Sequence, residues 1–293
     1  MIGFLQILFL GFLPAIILFA VIVALDRRHP KPFGQLIKTL FYGAIPVGFI
    51  IISLFLMDIV GMELNQGPLA SAFIGTAIPE EALKLLMLWL VLRKNKYYNK
   101  KFDGIVYSCC VGLGFATFEN VLYLLDFNIG IAILRSTLSV PGHFLYAVMM
   151  GYFYSLAHYN TKRRKLNMAL AFLVPMLAHG LNNYTITSLL YVNEWFALLI
   201  MCVAFPAIIA GLWIISIKFM RRHLASDNED ETRAIAEAEA RAQAEAWTPI
   251  EVEAESDDEE ILAEPSGAGS TESQSLSNFQ NPYVFEKLKK RES

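Results

Sequence analysis

The chain has 293 residues and a formal net charge of −3; 55% of the residues are hydrophobic and only 17% are charged. Soluble domains carry about 25% charged residues, so this composition excludes an ordinary soluble protein, and its apolar content excludes a mainly disordered one. Residues 1–225 hold 18 Lys and Arg against 9 Asp and Glu, whereas residues 226–293 hold 6 against 18. We therefore predict a membrane domain over residues 1–222 and an acidic, disordered cytoplasmic tail over residues 223–293.

Seven apolar runs are long enough to cross a bilayer, which takes about 20 residues in a helix. The fifth run is the shortest, and the first lacks the charged start and the cleavage site of a signal peptide. The predicted fold is all-α, a polytopic bundle of about seven transmembrane helices. The runs cover residues 3–25, 38–60, 69–92, 104–126, 140–159, 168–190 and 195–217.

Basic residues cluster in alternate loops. They follow the first, third, fifth and seventh runs. The intervening loops at 61–68, 127–139 and 191–194 contain a single basic residue, Arg135. Cytoplasmic loops are enriched in Lys and Arg. This alternation predicts an N-terminus outside and a C-terminus in the cytoplasm.

The third run carries charged residues at mid-depth, directly after Pro79. Glu80 and Lys84 are four residues apart on one helix face, whereas Glu81 points about 100° away. We expect Lys84 to neutralise or orient Glu80 and Glu81 to face a separate partner. Such a pair can also be a purely structural clamp.

Three further runs carry polar groups in the middle or outer half of the membrane. Glu119 lies in the fourth run, His143 opens the fifth near the outer surface, and His179 and Asn183 share a face of the sixth. Polar groups that only lock helices together have no reason to share a depth. The pattern therefore predicts one shared cavity, since buried ionisable groups in a membrane need a partner or a function.

Two kinds of water-activating chemistry fit these residue types. A glutamate can take a proton from water while a histidine positions it, with Asn side chains stabilising an oxyanion. Alternatively, His143, His179 and a glutamate, Glu81, can hold zinc and leave a position open for water. The residues leave both mechanisms open.

Four motifs in order carry a family resemblance. Glu80-Glu81-x-x-Lys84, Phe115-x-x-x-Glu119-Asn120, His143 and His179-x-x-x-Asn183 resemble the PrsW family of intramembrane proteases and, more distantly, the prenyl-protein and bacteriocin-processing membrane endopeptidases. The resemblance covers roughly residues 1–220 and implies peptide-bond hydrolysis at the membrane. Its family role implies a membrane-anchored protein substrate, such as an anti-sigma factor cut on the extracytoplasmic side.

Carried over by position, the resemblance implies a set of catalytic residues, and this chain differs from the family pattern at one of them. The family often has Asp where this chain has Asn183, a poor anionic metal ligand but a good oxyanion donor. The resemblance therefore leaves open a zinc enzyme or a metal-free glutamate enzyme. The implied set is Glu80, Glu81, Lys84, Glu119, Asn120, His143, His179 and Asn183.

Two other functions compete with proteolysis. Intramembrane Glu and His also build proton relays, so a proton-coupled transporter is an alternative, although the chain has no internal repeat of the kind transporters show. The second alternative is a non-catalytic membrane scaffold. The sequence predicts a multi-pass protein of a bacterial plasma membrane, in contact with lipid and with no nucleic-acid partner.

Overall fold

A computed structural model describes residues 4–59, 67–126, 129–189 and 194–246, and these segments are helical with no strand among them. Six of the predicted runs each correspond to one long helix, and the third corresponds to several shorter helical segments, which confirms the all-α fold. The helices are α1 (Phe4–Leu25), α2 (Phe33–Ile59), α3 (Ile78–Leu92), α4 (Lys101–Asp126), α5 (Ile129–Tyr159), α6 (Arg164–Leu189) and α7 (Trp195–Ala246).

Three stretches are long and apolar enough to cross a membrane by themselves. They are Phe33–Met57 in α2, Lys101–Tyr123 in α4 and Cys202–Glu245 in α7. Helix α3 is too short and too charged to qualify, since its 15 residues include Glu80, Glu81 and Lys84. The polar groups that make this helix informative also lower its hydropathy.

Helix α4 occupies the centre of the bundle. Its residues from Phe102 to Thr117 are all buried, while α1, α2 and α7 expose large apolar side chains such as Ile16, Phe49 and Ile214. In a membrane, such exposed apolar faces meet lipid. The bundle therefore surrounds α4 with helices whose outer faces suit acyl chains.

Two glycines of α4 allow its neighbours to approach closely, as the Gly112-x-Gly114 spacing predicts. A Cβ at Gly112 would lie 2.7 Å from the Ala147 Cβ and 3.0 Å from the His143 carbonyl oxygen on α5. A Cβ at Gly114 would collide with the Leu40 carbonyl on α2. The first contact seats the backbone of His143 directly against α4.

A π-helical segment, Ser71–Ala77, precedes α3 and follows the short helical turn Gly67–Ala70. Pro79, the second residue of α3, has no backbone N–H to donate into the preceding turn. Within the π-helical segment, Thr76 Oγ1 donates to the Ser71 carbonyl oxygen at 3.1 Å. The backbone shortly before Glu80 thus forms a widened helical turn, a feature that is frequent at functional sites.

Helix α5 begins 11 residues earlier than the apolar run that predicted it. Pro141 lies inside this helix, so His143 is one of its interior residues, about 21 Å along the axis from Ile129. The expected position of His143 at the opening of its helix is therefore wrong. Polar residues before Pro141 lower the hydropathy of this segment without preventing helix formation.

Helix α7 continues well past the predicted end of its apolar run at residue 217. It extends to Ala246. Asp227 on α7 accepts hydrogen bonds from the backbone N–H groups of Lys101 and Phe102 at 2.9 and 2.8 Å, which fastens α7 to the start of α4. The predicted acidic tail beyond Ala246 lies outside the described residues.

Candidate active site

The ammonium group of Lys84 lies at the centre of the polar cluster. Its Nζ is 2.8 Å from Glu81 Oε1, 3.2 Å from Glu80 Oε2 and 3.0 Å from His143 Nδ1. The same atom lies 3.9 Å from the centre of the Phe115 ring, a cation–π contact. Lys84 therefore joins α3 to the residues of α4 and α5.

Glu80 and Glu81 both contact Lys84. The lysine side chain is long and flexible, so it reaches residues three and four positions earlier on the same helix. Glu81 also has the separate partner that its direction predicted. His179 Nδ1 lies 2.8 Å from Glu81 Oε1, across 98 residues of sequence.

The two imidazoles occupy neighbouring positions in the cluster. Their ring centres are 5.1 Å apart, and the two ring planes are nearly perpendicular. His143 Nε2 lies 3.0 Å from Glu119 Oε2, and His179 Nε2 lies 3.1 Å from Asn183 Nδ2. Four helices thus contribute charged or imidazole groups to one connected set.

Asn120 is the member of the predicted set that follows Glu119 directly on α4. It is fully buried next to Glu119, but it is not part of the lining of the adjacent cavity. Its neighbour Glu119 does line that cavity. The remaining seven predicted residues are joined through the contacts given above.

A cavity of about 440 Å³ lies against the imidazoles. Glu80, Glu81 and Lys84 are not part of its lining, so the carboxylate of the cluster that borders it is Glu119. Its lining comprises Thr76, Glu119, Tyr123, Leu138, Ser139, His143, Tyr146, His179, Asn182, Asn183, Ile186, Thr187 and Phe205. The site therefore has an inner charged layer and an outer layer that faces a space for substrate.

Tyr146 is a site residue that sequence reasoning missed. Its ring stacks on His179, with centres 4.8 Å apart at 16°, and meets His143 edge-on at 5.8 Å. Tyr146 lies three residues after His143, so it shares a helix face with that histidine. The same spacing relates Asn182 to His179, and these spacings are the signal that could have identified both residues.

The cluster has the donor types of a zinc site. One ligand atom from each of Glu80, Glu81, His143 and His179 lies within 4.8 Å of the others, and all four residues are buried. Glu81 Oε2 is buried and has no hydrogen-bond partner among the described residues, so it is an available ligand atom. The Glu119 contact with the second nitrogen of His143 matches the way outer carboxylates orient metal-binding histidines. The donor types therefore fit a zinc ion, which would take the place of the Lys84 ammonium between Glu81 Oε1 and His143 Nδ1.

An all-helical bundle with apolar outer faces and carboxylates, imidazoles and amides around one inner cavity has the form of an intramembrane hydrolase. The chain belongs to the PrsW family of intramembrane metalloproteases, whose family model matches residues 31–210. All four sequence motifs lie within that match. The predictions of an intramembrane peptidase and of this family are therefore confirmed, and the transporter and scaffold alternatives are not favoured.

Individual relatives agree with the family assignment. Protease PrsW of Oceanobacillus iheyensis is 33% identical over 181 residues, which cover 61% of this chain and 82% of that protein. Protease PrsW of Geobacillus kaustophilus is 30% identical over 174 residues, 59% of this chain and 76% of that protein. Protease PrsW of Bacillus subtilis is 28% identical over 180 residues, 61% of this chain and 82% of that protein. No solved structure matches the chain.

Proposed function

We propose that this protease cleaves a single-span membrane protein, an anti-sigma factor, at a peptide bond on the extracytoplasmic side of a bacterial plasma membrane. The observation that carries the proposal is the meeting of Glu81, Glu119, His143 and His179, from four helices, beside one cavity. A peptide segment that enters this cavity from the lipid meets groups able to activate water. The expected seven spans, the external N-terminus and the cytoplasmic acidic tail are part of this proposal.

Glu81, His143 and His179 are the proposed metal ligands, with Glu80 beside them. These residues would hold a zinc ion, which would supply Lewis acidity for activating water and polarising a carbonyl group. The long helices fix these side chains in position. Lys84 balances the charge of the two buried glutamates, since an unpaired buried carboxylate would be costly.

Glu119 is the proposed proton acceptor for the attacking water. It borders the cavity, whereas Glu80 and Glu81 are buried and are not part of the lining. Its contact with His143 Nε2 holds the carboxylate in place. The same group can then return the proton to the leaving amine, as general acid–base catalysis requires.

Asn183 and Asn182 supply neutral donors for the oxyanion. Both line the cavity. Asn183 has two amide hydrogens and uses one toward His179. Its second hydrogen is available to a carbonyl oxygen that gains negative charge during attack, which is the role of an oxyanion-hole donor.

The test is cleavage of a single-span anti-sigma factor by the purified full chain in liposomes. Wild type should cut it, and Glu81→Gln should lose cleavage while remaining folded. Glu229→Gln is the matched control, because Glu229 is exposed on α7 far from the cluster in sequence. Equal cleavage by wild type and Glu81→Gln would contradict the proposed site, and equal cleavage of an unrelated single-span protein would contradict the proposed substrate class.

A further inference from the structure

A second cavity, of about 480 Å³, lies at the other end of the central helix α4. It is bordered by the end of α1, the connection to α2, the start of α4 and the extension of α7. Phe102 lines it, whereas Glu119 lies 17 residues farther along α4, about 25 Å away along the axis. This cavity is therefore separate from the candidate active site, and its volume is within the range of small-molecule sites.

The wall of the cavity toward the membrane is apolar. Val21 and Leu25 on α1 line it and are 46% and 41% exposed, so they also face the lipid side of the bundle. Phe102 and Leu224 complete this wall. The cavity thus adjoins the position where the apolar part of α1 ends and the charged connection begins.

The opposite wall is basic. Arg27, Arg28, His29 and Lys100 line it, and Lys100 is paired with Glu231 on α7 at 3.2 Å. Arg28 donates to the amide oxygen of Asn228 at 3.3 Å. Among the described residues, no carboxylate lies within 4.0 Å of either arginine.

Two acidic residues also line the cavity, and both have other partners. The two oxygens of Asp227 accept the backbone N–H groups at the start of α4. Asp26 lies 3.8 Å from Lys31. Among the residues that the structure describes, the arginines are therefore the charges of this cavity without a carboxylate partner.

We propose that this cavity binds the phosphate head group of an anionic phospholipid of the cytoplasmic leaflet. Arg27 and Arg28 pair with the phosphate, because a guanidinium matches phosphate geometry with two parallel hydrogen bonds. The apolar wall formed by Val21, Leu25 and Leu224 receives the first part of the acyl chains. Basic pockets between helices on the cytoplasmic side are known to hold such head groups.

The site is built largely from the flanks of the family domain. Of its lining, only Lys100 and Phe102 fall within the family-matched residues 31–210. Helix α1, the connection that follows it and the extension of α7 supply the rest. The bound lipid would hold these two flanking elements together at the membrane surface.

The experiment measures lipid retention by the purified full chain, using native mass spectrometry in detergent. Phosphatidylglycerol and phosphatidylcholine are added separately to wild type, to Arg27→Gln/Arg28→Gln and to Lys162→Gln/Arg163→Gln. The last variant is the matched control, because it removes the same charge from an exposed connection between α5 and α6. Arg27 and Arg28 are exposed, so their replacement should leave the fold intact.

We expect wild type and the control to retain phosphatidylglycerol in preference to phosphatidylcholine. Retention by Arg27→Gln/Arg28→Gln should be about 30-fold weaker, the effect expected for two basic groups at an anionic surface. An equal loss of phosphatidylglycerol retention in the arginine variant and the control variant would overturn the proposal. The lipid would then be attracted by the positive charge of the protein in general and not by this cavity. Displacement of the lipid by an equal concentration of glycerol phosphate would also overturn it, since the ligand would then be a soluble phosphate compound.

Discussion

His143 Nε2 lies 3.0 Å from Glu119 Oε2, although 24 residues and a helix connection separate the two in sequence. The other ring nitrogen faces the Lys84 ammonium, which has only donors. Nδ1 of His143 therefore accepts a hydrogen bond, and Nε2 carries the hydrogen that is donated to Glu119. This pair fixes the tautomer of the histidine and the orientation of the carboxylate that borders the cavity.

Glu119→Gln should abolish most proteolysis with little effect on stability. The amide keeps the size of the side chain but cannot accept a proton from water, a function that contributes about 10²–10⁴-fold to rate. The measurement is kcat in liposomes, together with the melting temperature in detergent. Phe118→Leu is the control, since Phe118 is exposed on the same helix. A kcat for Glu119→Gln close to that of wild type would exclude Glu119 as the base.

Lys84→Met should destabilise the protein by about 3–5 kcal/mol, the cost of leaving a buried charge without its partner. Glu80 and Glu81 both contact the lysine, and all three side chains are buried. Adding Glu80→Gln to this variant should restore part of the stability, because one uncompensated carboxylate is removed. Denaturant titration measures both effects. Purely additive losses in the double variant would show that the charges are not coupled.

Zinc content separates the two mechanisms. Purified wild type should carry about one zinc per chain, as a three-ligand catalytic site implies, and His179→Ala should lose it. His158→Ala is the control, because His158 lies at the far end of α5 against Tyr98 and Tyr159. Elemental analysis gives the metal content. Full activity in metal-free protein would favour water activation by glutamate without metal.

Tyr146 should act through the position of the His179 ring rather than through its hydroxyl group. Tyr146→Phe keeps the stacked ring, so its kcat should stay within about threefold of wild type, whereas Tyr146→Leu should lower kcat by about 10²-fold through misplacement of the histidine. KM should change little in either variant. A loss in Tyr146→Phe as large as that in Tyr146→Leu would assign the effect to the hydroxyl group.

The stability of the protein should fall as pH rises through the titration of Asp26, in the connection after α1. Burial raises the pKa of Asp26 from 3.8 to about 7, although Lys31 opposes this shift. Between these pH values the folded chain holds a proton that the unfolded chain has released, so stability decreases with rising pH. Asp26→Asn removes the titration and should raise the melting temperature more at pH 8 than at pH 5.

The control for the Asp26 titration is Asp230→Asn, at an exposed residue paired with Lys101 at 2.6 Å. Exposed ion pairs contribute little to stability. Melting temperatures of the three proteins at pH 5 and pH 8 make the comparison. If the melting temperatures of Asp26→Asn and wild type differ by the same amount at pH 5 and pH 8, Asp26 does not titrate in this range.

Local regularity explains why much of the molecule is predictable from its sequence. The apolar runs locate the seven long helices, because a helix in lipid must satisfy its backbone within itself and present apolar side chains. The pairing of Glu80 with Lys84 follows from a helical repeat of 3.6 residues. The start of α5 is not predictable in this way. The hydropathy rises near Pro141, but the helix already begins at Ile129 and continues through Pro141.

The sequence by itself determined the helical class, the order of the motifs and the identity of the polar residues gathered at the site. The tertiary structure alone decided that Glu119 meets His143, that Glu81 meets His179, and that Tyr146 stacks beside them. The reason is physical: lipid is as apolar as the interior of a helix bundle, so hydropathy does not reveal which face of each helix turns inward. That rotation is set by close contacts such as the one between Gly112 and His143, which exist only after the helices have packed.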